Sequence, residues 1–371
     1  MTTLSAEQRA EKSHVAAVGA REAKLRFSHR WRWVFIALLL LVTAALALSL
    51  FVGSVTIPAQ EVLTALLGGE TSRAGWTKIV QDYRVPKALT ALLSGAALAT
   101  AGLLMQTLFR NPLADAYVLG ISSGASLGVA LVVLSVGVGT TTLLGAMGIA
   151  GDLAVVVAAT LGSTAVLLIV LLLARRVQNV TTLLILGLMF GYITSALVSL
   201  LAHFAAPAQL RSFNNWSQGT FGDVTHAQLP IFACVILFGL LISAITAKPL
   251  NAMLLGEDYA ASLGVNLRRV RYLTILSTAL LAGVVTAFCG PIAFLGIAVP
   301  HLCRLALRTS SHNVLIPASI LLGASIALIA DLIAHMPDAQ IVLPLNAVLA
   351  LFGAPVVIWV ILRQPGLRGA M

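Results

Sequence analysis

Few side chains of this sequence are of a type and spacing that could carry out catalysis. None of its lysines follows a glycine, so the Gly-Lys-Ser/Thr loop that binds nucleotide phosphates is missing. His-Glu-x-x-His and Cys-x-x-Cys motifs are missing too, and the three cysteines lie in apolar runs without paired spacing. The histidines lie mostly in loops or near the ends of apolar segments. These positions predict packing and interfacial roles rather than a catalytic or metal site.

Carboxylates are also scarce in the apolar segments. Asp152, Asp223, Asp331 and Asp338 lie near the predicted ends of those segments or in loops. Proton- or sodium-coupled carriers usually need ionisable groups inside the bilayer, where such groups are costly and kept for function. The sequence therefore weakens a secondary-transporter interpretation and favours a transporter that another protein powers. The sequence has no polar catalytic cluster, which argues against a membrane-embedded enzyme. It has no repeated filter sequence, which argues against a channel.

The elements that position these residues are apolar helices. Of the 371 residues 59% are hydrophobic and only 10% are charged, which excludes a soluble enzyme, a disordered chain and a disulfide-rich secreted module. Segments of about 20 apolar residues can span a bilayer. We predict an all-α polytopic membrane protein of about ten transmembrane helices. The predicted spans are 33–52, 88–109, 118–136, 153–173, 182–203, 229–246, 272–289, 292–307, 315–334 and 343–362.

The distribution of basic residues predicts the orientation. With both termini in the cytoplasm, 18 of the 23 lysines and arginines lie on the cytoplasmic side. This bias explains the net charge of +10 without nucleic acid as a partner. We divide the chain into a basic cytoplasmic tail (1–32), a transmembrane domain (33–363) and a short cytoplasmic tail (364–371).

Two polar segments interrupt the apolar pattern on the predicted cytoplasmic side. One is 110–115, where Asn111-Pro112 favours a turn. The other is 248–271, interpreted as a short helix, a break at Gly256, and a second short helix from Asp258 that stops at Gly264. Its pattern fits equally a docking surface for a soluble partner and an amphipathic pair resting on lipid headgroups.

Small residues four apart predict close helix contacts. Gly120, Gly124 and Gly128 form one such face, and Gly95 and Gly102 belong to a second. The breaks at Asn111-Pro112 and Gly290-Pro291 lie on opposite predicted sides of the membrane. This arrangement suits an inverted repeat, which we hold as a hypothesis.

Several motifs, in order along the chain, resemble the FecCD family, the membrane permeases of ABC importers for iron-siderophores, haem and cobalamin. The motifs are Arg84-Val-Pro-Lys87, Gly102-Leu-Leu-Met-Gln106, Asn111-Pro-Leu-Ala-Asp115, Leu119-Gly-Ile-Ser-Ser-Gly124, Leu255-Gly-Glu257, Ser262-Leu-Gly264, and Gly290-Pro-Ile-Ala-Phe-Leu-Gly296 with Pro300-His-Leu-Cys-Arg304. The resemblance runs from about residue 33 to 363. Before the last span the family often reads Glu-x-Pro-x-Gly, whereas this chain reads Val342-Leu-Pro344-Leu-Asn346.

The resemblance implies a permease subunit of the bacterial cytoplasmic membrane, surrounded by lipid, without catalytic residues, cofactor or metal of its own. It implies a second permease subunit, for which self-pairing into a homodimer is simplest, and two cytoplasmic ATPases that bind ATP and Mg. A periplasmic or lipoprotein binding protein would deliver the substrate. We expect an iron chelate, a ferric siderophore or haem; cobalamin is the alternative within the family, and an ion-coupled secondary transporter is the alternative from another class.

The resemblance also assigns residues to three sites. Those expected at the cytoplasmic gate are Asn111, Leu113, Val180 and Thr181. Those expected in the ATPase coupling loop are Leu255, Gly256, Glu257, Ala261, Leu263 and Gly264. Those expected to dock the binding protein are Arg84, Lys87 and His335; cobalamin-type members carry Arg at the position of Lys87 and often at that of His335.

Overall fold

The protein is described by a computed structural model over residues 30–117, 119–134, 152–176, 180–336 and 342–363. The predicted tails, apart from 30–32, lie outside these described residues. In chain order the helices are α1 (Arg30–Phe51), α2 (Ala59–Leu66), α3 (Ala74–Lys78), α4 (Val85–Leu108), α5 (Ile121–Val133), α6 (Asp152–Arg176), α7 (Val180–Phe204), α8 (Pro207–Ser217), α9 (Leu229–Met253), α10 (Glu257–Ser262), α11 (Leu267–Cys289), α12 (Leu295–Leu307), α13 (His312–Ala334) and α14 (Leu345–Arg363).

In the described part of the chain, ten apolar helices account for the predicted spans. Seven are long and apolar enough to cross a membrane, and the three shorter apolar helices are α5, α12 and α14. They follow the order predicted from the sequence, and the described chain contains no strand. The prediction of an all-α polytopic bundle is therefore confirmed.

Helix α4 lies at the centre of the bundle, where it packs against α9, α11, α12 and α13. Glycines permit two of these contacts. A Cβ atom at Gly95 would collide with the carbonyl of Gly323 in α13, and one at Gly102 would collide with the carbonyl of Gly296 in α12. Membrane helices associate through such close packing because lipid removes the hydrophobic drive between them. The predicted small-residue face of α4 is confirmed.

The second predicted small-residue face joins α5 to α6. Cβ atoms at Gly124 and Gly128 would meet backbone atoms of Gly162 and Ala158. Helices α7 and α14, by contrast, keep much of their apolar surface exposed, for example at Tyr192 and Leu351.

Three elements differ from the prediction. Helix α4 is continuous with α3 through a π-helical turn at Ile79–Arg84, so the second span begins near Ala74 rather than 88. The first short helix expected in 248–271 is instead the last part of α9, which continues through Pro249. Helix α8 was not predicted; its apolar side consists of Leu210, Phe213 and Trp216 in an otherwise polar segment.

Helices α5 and α12 share an unusual form. Each has 13 residues and begins after a residue in the left-handed region, Gly120 (φ 76°) and Phe294 (φ 68°). Each follows a long helix and a break, α4 with 109–120 and α11 with 290–294. Because α4 and α11 run in opposite directions in the predicted topology, the two breaks fall at opposite ends, in keeping with the inverted-repeat hypothesis.

Candidate gate, coupling and docking sites

The predicted gate residues Asn111 and Leu113 lie in the turn after α4. We call this end of the bundle, where the basic residues concentrate, the inner end, and the opposite end the outer end. The Asn111 Oδ1 accepts a hydrogen bond from the Leu113 amide at 2.9 Å, an Asx-turn, and its carbonyl accepts from the Ala114 amide. The turn leaves the Leu113 side chain 42% exposed. An apolar side chain is thus held out from the protein by a locally fixed backbone.

The other two predicted gate residues begin α7. Val180 is its first residue and the Thr181 side chain is exposed. The side chain of Val180 lies outside the described residues. All four predicted gate residues therefore lie at element ends of the inner half, two in the turn after α4 and two in the first turn of α7.

We call residues 110–115, the turn after α4, the gate turn. Buried polar side chains attach this turn and the end of α4 to α12. His301 Nε2 lies 2.7 Å from the carbonyl oxygen of Pro112 and donates to it. Gln106 donates through Nε2 towards the carbonyls of Gly296 and Ile297, and its Oε1 accepts from Arg304 at 2.6 Å. Because these groups are buried, losing one partner leaves a costly unpaired polar atom. The sequence motifs contain Gln106, His301 and Arg304, yet nothing in their spacing indicates that they meet.

The coupling loop presents an apolar surface away from the spans. Leu255 is 70% exposed, Leu263 is 60% exposed, and Ala261 is exposed between them, while Ala260 is fully buried and anchors the short helix α10. Exposed apolar groups clustered on a protein surface mark an interaction site. The predicted coupling residues are therefore accessible to a partner.

Two glycines shape this loop. Gly256 has φ 121° and ψ 149°, and Gly264 has φ 82°. A Cβ would meet no atom within 4 Å at either position, so backbone conformation rather than crowding calls for glycine. The predicted break at Gly256 and stop at Gly264 are confirmed.

Glu257 connects the coupling loop to the gate turn. Its Oε1 lies 3.8 Å from a guanidinium nitrogen of Arg110, the residue before Asn111, and its Oε2 lies 3.9 Å from one of Arg271 in α11. Arg110 also lines a cavity of about 320 Å³ at the inner end, together with Gln106, Pro112, His301 and Arg304. One carboxylate of the coupling loop thus pairs with the gate turn and with a membrane helix.

The three predicted docking residues line a single cavity at the outer end. The cavity has a volume of about 290 Å³, and Arg84, Lys87 and His335 contribute to its wall. Arg84 is only 7% exposed and donates to the carbonyls of Leu50 and Phe51 at 2.9 and 3.0 Å and to that of Val55. The Arg84 guanidinium thus caps the carboxyl end of α1. Because its donors are already used within the protein, a contact between Arg84 and a binding protein stays a prediction.

Asp331 forms an ion pair with Lys87 and lies against His335, whose Nδ1 is 3.1 Å from the backbone carbonyl oxygen of Asp331. Lys87 Nζ lies 3.1 Å from Asp331 Oδ2, and His335 Nδ1 lies 3.3 Å from Oδ1. The carboxylate is almost fully buried. The sequence alone assigns Asp331 no partner, although its i, i+4 spacing to His335, the residue after α13, is a local signal that the two are close.

The fold and these three predicted sites define a class: a multi-pass helical membrane protein with an exposed apolar surface at the inner end and a charged cavity at the outer end. Residues 31–363 match the FecCD transport family, so the chain belongs to that family and is an ABC importer permease. The family expected from the sequence motifs is confirmed.

Curated relatives and a solved structure agree with this assignment. The chain is 38% identical over 322 residues to the vitamin B12 import system permease protein BtuC of Klebsiella pneumoniae, covering 86% of this chain and 91% of that protein. It is 38% identical over 285 residues to BtuC of Shigella sonnei, covering 76% and 83%. Its fold matches a structure described as an inward-facing conformation of a metal-chelate type ABC transporter, with a TM-score of 0.76, 27% identity, and coverage of 90% of this chain and 99% of that chain.

Proposed function

We propose that this permease moves a cobalamin-type metal chelate across the bacterial cytoplasmic membrane by alternating access. The observation that carries the proposal is the contact of Glu257 in the coupling loop with Arg110 beside the gate. A partner that binds the exposed coupling surface can act on the gate through this contact. The permease has two states, one outward-facing and one inward-facing. The partner binds these two states with different affinities and so shifts the balance between them.

The proposed partners follow from the two ends of the bundle. Two ATPases, which bind ATP and Mg, dock at the coupling surface around Leu255 and Leu263. A substrate-binding protein docks at the outer cavity, where the Lys87 side chain stays 23% exposed beside its Asp331 partner and can meet an acidic side chain. A second permease subunit, a copy of this chain, completes the pathway. Both termini lie in the cytoplasm.

The substrate is argued from the relatives. Two that are 38% identical are named as vitamin B12 permeases, which supports the cobalamin alternative over the iron chelate that we expected first. An iron chelate is the second candidate, because the solved structure similar to this chain is described as a metal-chelate type transporter. Both substrates are large metal chelates, so they share the demand for a wide pathway.

The test is uptake by proteoliposomes that contain this permease with its cognate ATPase and binding protein. Radiolabelled cyanocobalamin, a ferric siderophore and haem are offered separately, with and without ATP inside. We expect ATP-dependent uptake of cyanocobalamin. ATP-dependent uptake of only an iron chelate would replace the proposed substrate, and uptake driven by a proton gradient without ATP would overturn the mechanism.

A further inference from the structure

The break between α11 and α12 exposes backbone groups that no helix satisfies. Residues 290–294 are irregular, and they lie between two apolar helices. Irregular backbone is tolerated beside lipid only where other groups of the protein satisfy it. The backbone groups of this segment therefore need hydrogen-bond partners elsewhere in the protein. Those partners show which elements hold the break in place.

Asn346, the second residue of α14, supplies two of these partners. Its Nδ2 donates to the carbonyl of Pro291 at 2.7 Å, and its Oδ1 accepts from the amide of Ala293 at 3.0 Å. One amide side chain thus binds a donor and an acceptor two residues apart. A glycine at this position could form neither bond.

Neighbouring contacts join α8 to the same break. The Thr220 amide donates to the carbonyl of Cys289 at 2.9 Å. A Cβ at Gly219 would lie 3.0 Å from the Pro291 oxygen and 3.4 Å from Asn346 Nδ2, and one at Gly290 would collide with the carbonyl of Trp216. The segment after α8 therefore lies directly against the break and against Asn346.

We propose that Asn346 is a positioning residue that clamps the outer end of α14 to the α11–α12 break, so that both move with α8 during transport. Two helices with exposed apolar faces are thus connected to the break. Helix α14 is connected through Asn346, and α7 is connected through the chain, because α8 follows α7 directly after Phe204. The transport part of this inference rests on the proposed function, whereas the clamp itself does not.

The clamp contains its own reporter, because Cys289 is 1% exposed and its carbonyl belongs to the clamp. In a variant that keeps Cys289 as its only thiol (C234S and C303S), the rate of modification by N-ethylmaleimide in membrane vesicles measures local opening of the break. We expect Asn346→Ala to raise this rate roughly ten- to a hundredfold, the factor that loss of two ordinary hydrogen bonds gives. Asn346→Asp, which keeps the acceptor but sets a carboxylate oxygen against the Pro291 carbonyl where the donor was, should raise the rate at least as much.

Cys303 separates a local effect from general loosening. It is as buried as Cys289 but lies in the inner half of α12, away from the clamp. With Cys303 as the only thiol (C234S and C289S), Asn346→Ala should leave the modification rate unchanged. Asn214→Ala serves as the matched control, because Asn214 is an exposed asparagine on α8.

The same variants are then assayed for substrate uptake per ATP hydrolysed in proteoliposomes. We expect Asn346→Ala to lower this ratio severalfold and Asn214→Ala to leave it unchanged. An unchanged Cys289 rate would overturn the clamp whether or not the chain transports anything. A similar rise at Cys289 and Cys303 would make Asn346 a general stabiliser, and a selective rise at Cys289 with an unchanged uptake ratio would overturn the role in transport.

Discussion

Asp331 is a carboxylate that a membrane helix holds almost entirely out of water, and Lys87 is the cation that balances it. The pair joins the outer end of α4 to that of α13, with His335 on the second carboxylate oxygen. A buried charge is strongly destabilising once its partner is removed, although the intact pair contributes little by itself. Replacing only one residue of the pair should therefore change the free energy of unfolding more than replacing both.

We expect Asp331→Asn to lower the free energy of unfolding by about 2–3 kcal/mol, below the range for fully buried pairs because the Lys87 side chain is 23% exposed. Replacing both residues, as Lys87→Met with Asp331→Leu, should restore part of the loss. Denaturation by SDS in mixed micelles measures both. Lys78→Met, at an exposed lysine of the same outer region, is the control and should change stability by less than about 0.5 kcal/mol.

At the residue scale, the sequence predicts members of sites but not the residues that they contact. Resemblance could assign Arg84, Lys87 and Glu257 because each lies in a quoted motif, whereas His335 was assigned by its position alone. The contact of Glu257 with Arg110, and the carbonyl groups that bind Arg84, join residues distant in sequence. Only tertiary packing decides such contacts, so local spacing could not predict them.

At the scale of helix contacts, Gly102 tests the approach of α4 to α12. Gly102→Ala places a methyl group against the backbone of Gly296, and we expect a loss of about 1–3 kcal/mol of stability. Gly75→Ala is a matched control, because a Cβ there meets no atom within 4 Å in a helical turn. Gly75→Ala should be neutral or stabilising by up to about 1 kcal/mol. Equal effects of the two substitutions in the same unfolding assay would contradict this account of the contact.

The coupling loop gives a prediction that distinguishes its two glycines. Asparagine adopts the left-handed region of Gly264 readily, whereas the backbone conformation at Gly256 is nearly restricted to glycine. Gly264→Asn should therefore retain most of the ATP-driven uptake, and Gly256→Asn should lose most of it. Both variants should insert normally into the membrane, which immunoblots of membrane fractions check. Equal uptake by the two variants would remove the conformational argument.

The Arg110–Glu257 contact can be tested by charge reversal. Arg110→Glu and Glu257→Arg should each lower ATP-driven uptake severalfold, because each places like charges beside one another at the gate turn. The double variant should recover part of the activity, although Arg271 also faces Glu257 and will limit the recovery. Strictly additive losses in this cycle would show that the two residues do not act together.

A helix could be predicted from the sequence where a single local property, such as the length of an apolar segment, determines that it forms. Apolar length fixed the order of the ten spans, whereas their ends depended on tertiary contacts. Helix α9 runs on through Pro249, and α4 begins early through a π-helical turn, and apolar length predicts neither extension. The amphipathic helix α8 escaped prediction because its packing against Val129 and Ala287 is visible only in the folded bundle.

For the molecule as a whole, the orientation in the membrane is the simplest property to test. Gln60 in α2 and Arg268 in the first turn of α11 are exposed at opposite ends of the bundle. In a background with Cys234→Ser, a membrane-impermeant maleimide applied to intact cells should label Gln60→Cys and should label Arg268→Cys only after permeabilisation. The reverse pattern would invert the predicted topology.

The central position of α4 has a consequence for how the chain is made. A ribosome completes α4 long before α12 and α13, and at 5–20 residues per second the delay is on the order of ten seconds or more. During that time the glycine faces at Gly95 and Gly102 and the polar groups of Ser94 and Gln106 have no final partners. Inserted spans must therefore wait in lipid or beside insertion factors, and premature association of α4 is the hazard that biogenesis of this permease has to avoid.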